Sequence, residues 1–166
     1  HCMGAEAALV RPQFMSGTHT LTVALFGLLR TGDTLLAATG RPYDTLEGVI
    51  GIGDAGKGCG TLREFGVNYD ECPLLPDFTP DYDLIAEKAK TATVVHIQRS
   101  RGYTQRNAFD LATIQKVADT ARKANPNAVI FVDNCYGEFT QTAEPVAFGA
   151  DIMAGSFIKN PGGGIT

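Results

Sequence analysis

The stretch IMAGSFIKNPGGG, residues 152–164, is the most informative segment of the chain. Its apolar beginning predicts a strand over residues 151–158, which leads Lys159 into a glycine-rich turn three residues after Ser156. A lysine next to apolar residues is costly to keep charged, so we expect burial to lower its pKa. The alternative is a surface lysine whose aliphatic stem covers an edge strand.

The rest of the chain alternates strand-like and helical segments. The predicted strands are residues 34–38, 67–72, 94–98 and 128–132, and the predicted helices are residues 18–30, 43–50, 82–90 and 110–123. Asp81 is placed to cap the third helix, and residues 4–10 have the composition of a helix interior. Apolar strands separated by helices predict an α/β fold, with a mostly parallel sheet that helices cover on both faces.

Composition excludes several classes of protein. The 166 residues are 44% hydrophobic and 19% charged, which indicates one globular domain. A net charge of −4 without a basic run argues against nucleic acid or an anionic membrane as partner. The four cysteines form no CxxC pair, so neither a metal site nor a disulfide framework is expected, and a cytoplasmic location is the default.

A carboxylate follows the predicted strand at residues 128–132, where Asp133 begins the segment DNCYGE. Ligands of parallel sheets gather beyond the carboxyl ends of the strands, and Asp133 falls at such an end. A buried aspartate needs a partner, and a protonated pyridine nitrogen would serve. The alternative is an ordinary helix cap or turn.

Small residues open the first long helix at Ser16, Gly17 and Thr18. Free N–H groups and the helix dipole favour a phosphate there, to which Ser156 would add a hydroxyl. An ordinary capped helix is the alternative. Tyr43 offers a ring that would stack on a flat heterocycle, or else lies exposed in a turn.

The segment QRSRGY, residues 98–103, follows another predicted strand and offers several hydrogen-bond donors. Its arginines, Arg99 and Arg101, would suit a carboxylate or a phosphate. The alternative is that both are simply solvated.

Residues 51–58 imitate two nucleotide-binding motifs. Residues 51–56 fit GxGxxG, and the run nearly fits a P-loop, except that Gly58 stands where Ser or Thr must bind magnesium. The predicted context is a helix followed by a loop, whereas the dinucleotide motif joins a strand to a helix. We therefore interpret residues 51–60 as a flexible connection.

Lys159 and Asp133 together indicate one cofactor. A free amine is what a Schiff base requires, and pyridoxal 5'-phosphate (PLP) is the commonest cofactor that proteins hold in this way. In PLP sites an aspartate keeps the pyridine nitrogen protonated, so that the ring accepts electrons. Both residues follow consecutive predicted strands, with an anion-binding type of helix start upstream. The sequence therefore predicts a PLP site and no metal site.

The ordered set SGTHT, RPYDT, QRSRGY, FVDNCYGEF and GADIMAGSFIKNPGGG resembles the methionine gamma-lyase-like or aluminium-resistance proteins. These are PLP-dependent enzymes of fold type I, in the cystathionine-metabolism group. The resemblance spans essentially all of residues 1–166, and its last two motifs are the most specific. It implies a PLP-dependent transferase large domain with a seven-stranded mixed sheet, which binds PLP at the interface of a homodimer or homotetramer.

The resemblance also implies roles for individual residues. Lys159 would form the covalent link to PLP and act as the catalytic base, Asp133 would pair with the ring nitrogen, and Tyr43 would stack on the ring. The phosphate would be held by small residues of two segments: Ser16, Gly17, Thr18 and Ser156. Gln98 or Ser100 would lie near the ring hydroxyl, although the motif at this strand end differs from the better-known branches.

The activity implied by the resemblance is a carbon–sulfur lyase acting on a sulfur-containing amino acid, by removal of the α-proton and β- or γ-elimination. Other PLP reactions remain as alternatives: aldol cleavage, transamination and desulfurisation. Outside this class, the alternatives are a nucleotide-binding module that uses residues 51–58 and a non-catalytic protein that retains the fold. The wider group uses an N-terminal segment and a C-terminal domain that we do not recognise here. We therefore expect residues 1–166 to be an internal piece of the large domain, inactive without those regions.

Overall fold

The computed structural model describes residues 2–162. Its helices and strands are, in chain order, α1 (Gly17–Leu28), β1 (Thr34–Ala37), α2 (Asp44–Ile50), β2 (Asn68–Glu71), α3 (Tyr82–Lys88), β3 (Val94–Gln98), α4 (Leu111–Ala124), β4 (Val129–Asp133) and β5 (Ile152–Ala154). Short 3-10 helices occupy Ala89–Thr91 and Pro145–Phe148. No helix in this part of the chain is long and apolar enough to cross a membrane.

The five strands form one parallel sheet in the order β2-β1-β3-β4-β5. From β1 the chain adds β2 on one side, and then returns to add β3 on the other side. This reversal places a topological switch point between β1 and β3, at the carboxyl edge where ligands of such sheets usually bind. In the register of β3, β4 and β5, Gln98 lies opposite Asp133 and Asp133 lies opposite Ala154. The three strands therefore end side by side.

Two apolar cores cover the two faces of the sheet. The core under α1 and α2 contains Leu21, Leu25, Leu46, Ile50 and Phe131, and the core under α3 and α4 contains Ile85, Ile114, Val117, Ile130 and Val132. Alternate residues of a strand point to opposite faces, and Phe131 of β4 faces α1. Asp133, two residues later, therefore lies on the α1 side.

The predicted fold class is confirmed, and β3 has the predicted bounds. The structure also confirms that the side chain of Asp81 caps α3, since it accepts the N–H of Leu84 at 3.0 Å. The implied count of seven strands is a statement about a larger domain, which residues 2–162 do not test.

Two predicted segments are wrong. Residues 4–10 form no helix, because no apolar face packs there: Leu9 and Val10 are 73% and 59% exposed. The strand predicted over residues 151–158 ends at Ala154, because the backbone turns at Ser156, whose carbonyl accepts the N–H of Lys159 at 2.9 Å. The segment predicted as a glycine-rich turn includes residues 163 and 164, which lie outside the described residues.

Candidate cofactor site

Asp133 lies at the carboxyl end of β4 and is 1% exposed. Its Oδ1 accepts the backbone N–H of Cys135 at 3.0 Å, and within residues 2–162 the carboxylate forms no ion pair. Burial raises the pKa of Asp133, while the Cys135 hydrogen bonds and the positive charge of Lys159 act to lower it. A buried acid without a paired cation is a suitable partner for a protonated ring nitrogen.

The start of α1 packs against the ends of β4 and β5. Ser16 caps the helix, since its Oγ accepts the N–H of His19 at 3.1 Å. A Cβ added at Gly17 would lie 2.8 Å from Cys135 Sγ and 3.6 Å from Ser156 Cβ, so only a glycine fits without movement. The first amides of α1 are therefore close to Ser156, as the predicted phosphate site requires.

Tyr43 is connected to two of the other predicted site residues. Its hydroxyl lies 3.1 Å from Thr18 Oγ1, and its backbone N–H donates to Gln98 Oε1 at 3.0 Å. Burial raises the pKa of Tyr43 to about 12, and the charge of Asp133 acts in the same direction. The phenol is therefore neutral, and its ring is held between α1 and β3.

Gln98 is bound to the protein backbone through both ends of its side chain. Its carboxamide oxygen accepts from the N–H of Tyr43, and its carboxamide nitrogen donates one hydrogen bond to the carbonyl of Ser100 at 3.1 Å. Gln98 therefore positions Tyr43. The carboxamide nitrogen carries a second N–H, so the expected place of Gln98 or Ser100 near a ring hydroxyl stays a prediction.

Arg99, 3% exposed, is neither solvated nor available to a ligand. Its guanidinium donates to Asn134 Oδ1 at 2.7 Å and to the Gly137 carbonyl at 2.9 Å, and it lies 3.8 Å from a carboxylate oxygen of Glu144. Burial lowers its pKa, whereas Glu144 acts to raise it. Arg101 is exposed.

Sequence analysis missed Arg106, which is buried eight residues beyond the end of β3. It donates to the carbonyl of Gln98 at 2.9 Å and lies 4.1 Å from the centroid of the Phe109 ring. Burial lowers its pKa to about 10. No local sequence pattern distinguishes such a structural arginine from a solvated one.

Lys159 lies in a turn and is exposed, which contradicts the predicted burial. The strand ends at Ala154, so the lysine falls beyond the covered part of the sheet. Its Nζ is 4.6 Å from the centroid of the Tyr136 ring. The positive charge of Lys159 acts to lower the pKa values of both Asp133 and Cys135.

The last part of the glycine-rich loop at residues 51–60 binds a carboxylate of the chain itself. The carboxylate of Glu64 accepts the backbone N–H groups of Gly58, Gly60 and Thr61 at 2.6, 2.8 and 3.0 Å. These hydrogen bonds lower the pKa of Glu64. The loop follows α2 and opens no helix, which disfavours the nucleotide-binding alternative.

A groove of about 460 Å³ opens beside Gln98, with Arg101, Leu74 and Phe78 in its lining.

Residues 2–162 contain no cluster of three or more His, Cys, Asp or Glu side chains able to hold a metal ion.

Comparison with known proteins gives a consistent result. A family model described as methionine gamma-lyase matches residues 1–166. A Bacillus subtilis (strain 168) protein named "Uncharacterized protein YnbB" is 49% identical over 163 residues, covering 98% of this chain and 38% of the relative.

Solved structures agree with this match. One from Listeria innocua, described as a candidate cystathionine beta-lyase involved in aluminium resistance, is 50% identical with a TM-score of 0.92, covering 98% of this chain and 40% of that one. One from Clostridium novyi NT, described as a carbon-sulfur lyase involved in aluminium resistance, is 46% identical with a TM-score of 0.88, covering 94% and 37%. A cysteine desulfurase from Thermococcus onnurineus NA1, 15% identical with a TM-score of 0.65, shows only the common fold.

The chain thus spans between 37% and 40% of the length of the three closer relatives. Within that span it has the fold of the PLP-dependent enzymes of fold type I, built on a mostly parallel sheet. The resemblance inferred from the sequence motifs is confirmed, and the chain belongs to the methionine gamma-lyase family.

Proposed function

We propose that the protein is a PLP-dependent carbon–sulfur lyase that acts on a sulfur-containing amino acid. The observation that carries the proposal is the buried carboxylate of Asp133, which has no paired cation within residues 2–162 and whose pKa the charge of Lys159 acts to lower. The description of the Clostridium novyi relative as a carbon-sulfur lyase supports this reaction class.

The residues of the site fit PLP. Asp133 would hold the ring nitrogen, and the neutral Tyr43 would cover one face of the ring. The phosphate would be bound by the amides at the start of α1 and by Ser156, with Gly17 leaving room where a Cβ would collide. Lys159 would provide the covalent attachment.

When bound, PLP supplies an electron-accepting ring conjugated to the amino group of the substrate. The amine of Lys159 then takes the proton from the substrate α-carbon. Asp133 keeps its negative charge next to the ring nitrogen, and the bond to the sulfur atom breaks at the β or γ carbon. The sulfur leaves as a thiol after taking up a proton, and water releases the remaining carbon skeleton as a keto acid and ammonia.

The first experiment tests the attachment. The full gene product would be incubated with PLP and reduced with borohydride, and the labelled peptide would be identified by mass spectrometry. We expect Lys159→Ala to lose the label and Lys57→Ala, a control at an exposed loop lysine, to keep it. Equal labelling of Lys159→Ala and the unaltered protein would contradict the proposal.

The second experiment tests the reaction class. Release of keto acid and thiol would be measured with cystathionine, methionine and cysteine, and with serine and homoserine as matched oxygen analogues. We expect release from at least one sulfur substrate and much slower release from its oxygen analogue. Aldol cleavage or transamination without thiol release would select an alternative PLP reaction.

We also propose that the protein acts as a cytoplasmic homodimer or homotetramer. All four cysteines are free, as expected in a reducing compartment. Leu9, Val10 and Met15 expose apolar side chains just before α1, which is typical of surfaces that a second chain covers. Light scattering of the full gene product would give its mass in solution, and a monomer would contradict the assembly.

A further inference from the structure

A loop and a turn at the site are joined through one glutamate. We call residues 134–139 the β4 loop and residues 155–160 the Lys159 turn. Glu138 of the β4 loop is 1% exposed, and its Oε1 accepts the backbone N–H of Ser156, where the Lys159 turn begins. A Cβ added at Gly155 would lie 2.6 Å from the same oxygen, so the carboxyl group packs directly against this backbone.

Further contacts join the same two segments. The side-chain amide of Asn160 donates to the carbonyl of Glu138 at 2.7 Å and to the carbonyl of Tyr136 at 3.3 Å. The rings of Phe139 and Phe157 stack with centroids 5.9 Å apart. The β4 loop therefore holds both ends of the Lys159 turn, and Glu138 takes part at each end.

The second carboxyl oxygen of Glu138, Oε2, is buried and has no hydrogen-bond partner within residues 2–162. The charge of Arg99 acts on Glu138, but the two side chains form no ion pair within residues 2–162. Glu144 is hydrogen-bonded to Asn134 and lies 3.8 Å from Arg99, which is the cation of that pair. Asp133 is a second buried acid.

Burial raises the pKa of Glu138, backbone N–H groups including that of Ser156 act to lower it, and Glu144 acts to raise it. A carboxyl oxygen can accept the N–H of Ser156 in either protonation state.

We infer that Glu138 is a positioning residue for Lys159, acting through the Ser156 N–H that its carboxyl group accepts. The inference rests on the proposed function in so far as Lys159 is the attachment lysine. The role requires a hydrogen-bond acceptor at this position.

Two variants of Glu138 separate the acceptor from the charge. Glu138→Gln keeps an acceptor and is neutral, so we expect PLP to become trapped at Lys159 within about twofold of the unaltered rate. Glu138→Leu removes the acceptor, and misplacing a reacting group by about 1 Å costs up to about 100-fold, so we expect at least about tenfold slower trapping.

A readout without PLP follows the turn itself. Acetic anhydride would acylate the apo protein, and mass spectrometry would give the ratio of Lys159 to Lys57 labelling. We expect this ratio to change more than about fivefold in Glu138→Leu and to stay within about twofold in Glu138→Gln. Glu71→Gln is the control, because this glutamate at the end of β2 accepts from the Tyr69 hydroxyl and forms no hydrogen bond to the β4 loop or the Lys159 turn within residues 2–162, so its ratio should not change.

The inference is overturned if Glu138→Leu has the same Lys159 acylation ratio and the same rate of PLP trapping as the unaltered protein. It is also overturned if both quantities change in Glu138→Gln as much as they do in Glu138→Leu. Loss of PLP trapping in the unaltered protein would refute the proposed function instead, and the acylation ratio would still report on Glu138. If Glu138→Leu does not fold, Gly155→Ala decides, because its Cβ would lie 2.6 Å from Glu138 Oε1 and should displace that oxygen from the Ser156 N–H, changing the acylation ratio more than about fivefold. An unchanged ratio in Gly155→Ala would overturn the inference.

Discussion

His96 of β3 is a buried base without a polar partner for its Nε2 atom within residues 2–162. Its ring lies 5.8 Å from that of Phe131, on the side of the sheet that carries Gln98 and Asp133. Burial lowers the pKa of His96 from 6.5 to about 4. The neutral ring therefore serves packing beneath the site, and charging it requires unfolding or rearrangement.

This pKa difference predicts acid sensitivity. Because the unfolded chain takes up the proton at higher pH than the folded one, His96 stabilises fully above pH 6.5 and loses that contribution as pH falls towards about 4. The loss amounts to about 3 kcal/mol at the lower end. Urea unfolding at several pH values would measure it.

Variants at two histidines make the acid test specific. His96→Leu should remove this component of the pH dependence, whereas His19→Gln, at an exposed position, should retain it. An unchanged acid slope in His96→Leu would show that other groups cause the effect.

Residues with a strong chemical requirement could be proposed from sequence alone. Asp133 and Lys159 were proposed because an acid and an amine after predicted buried strands need a reason to be there, and in the structure the charge of Lys159 acts to lower the pKa of Asp133. Gln98 and Glu138 behave differently. Each is hydrogen-bonded to the backbone of a segment distant in sequence, and no local pattern specifies such a partner. Ser16 is the opposite case, because its cap on α1 is a local contact and was one of the two interpretations drawn from the sequence.

Helix α1 depends on a close approach at its first residue. The absent side chain of Gly17 allows the helix start to lie against Cys135, whose thiol has a raised pKa because it is buried. A thiol of this kind is inert and acts as a small apolar group.

Gly17→Ala is therefore predicted to destabilise the protein by about 1–3 kcal/mol, because the new Cβ would meet Cys135 Sγ at 2.8 Å. Binding of PLP should weaken as the helix start moves. Adding Cys135→Ala should restore part of both losses, a coupling that thermal unfolding and PLP titration would measure. The control is Gly27→Ala in the same helix, where a Cβ has nothing within 4 Å, and which should not destabilise. Additive losses in the double variant would contradict this account.

The elements differ in how well sequence predicted them. Strand β3 was predicted to the residue because each of its five residues is buried and polar residues bound it. β5 is short, and the apolar residues after it, Phe157 and Ile158, belong to a turn. Hydropathy identifies apolar residues but not the direction of the chain, so it cannot show where an apolar segment stops being extended.

Arg99 connects parts of the molecule that are far apart in sequence. Its guanidinium binds the end of β4, the segment before α4 through the Phe109 carbonyl, and the side chains of Thr140 and Gln141. The Arg99 and Glu144 side chains are each 4% exposed.

Removing this cation should destabilise the whole fold. Arg99→Met leaves Glu144 buried without its partner, and we expect a loss of about 3–5 kcal/mol in the free energy of unfolding. The double variant Arg99→Met with Glu144→Gln should recover part of that loss, because it also removes the unpaired carboxylate of Glu144. Urea unfolding would measure both, and a loss below about 1 kcal/mol in Arg99→Met would contradict the buried network.

The fold class followed from the sequence because apolar strands without alternation require cover on both faces. The strand order did not, since it depends on which side of β1 each crossover adds its strand.

The pairing of Phe131 and Asp133 on one side of β4 has a consequence for changes in chain length. Loss of one residue within residues 129–132 would exchange the faces of the sheet to which the side chains of β4 point, and would turn Asp133 towards α4, away from Tyr43. Residues added at the opposite rim of the sheet, for example in the turn at residues 125–127 before β4, would leave the direction of these side chains unchanged. Insertions and labels therefore belong at the amino rim of the sheet.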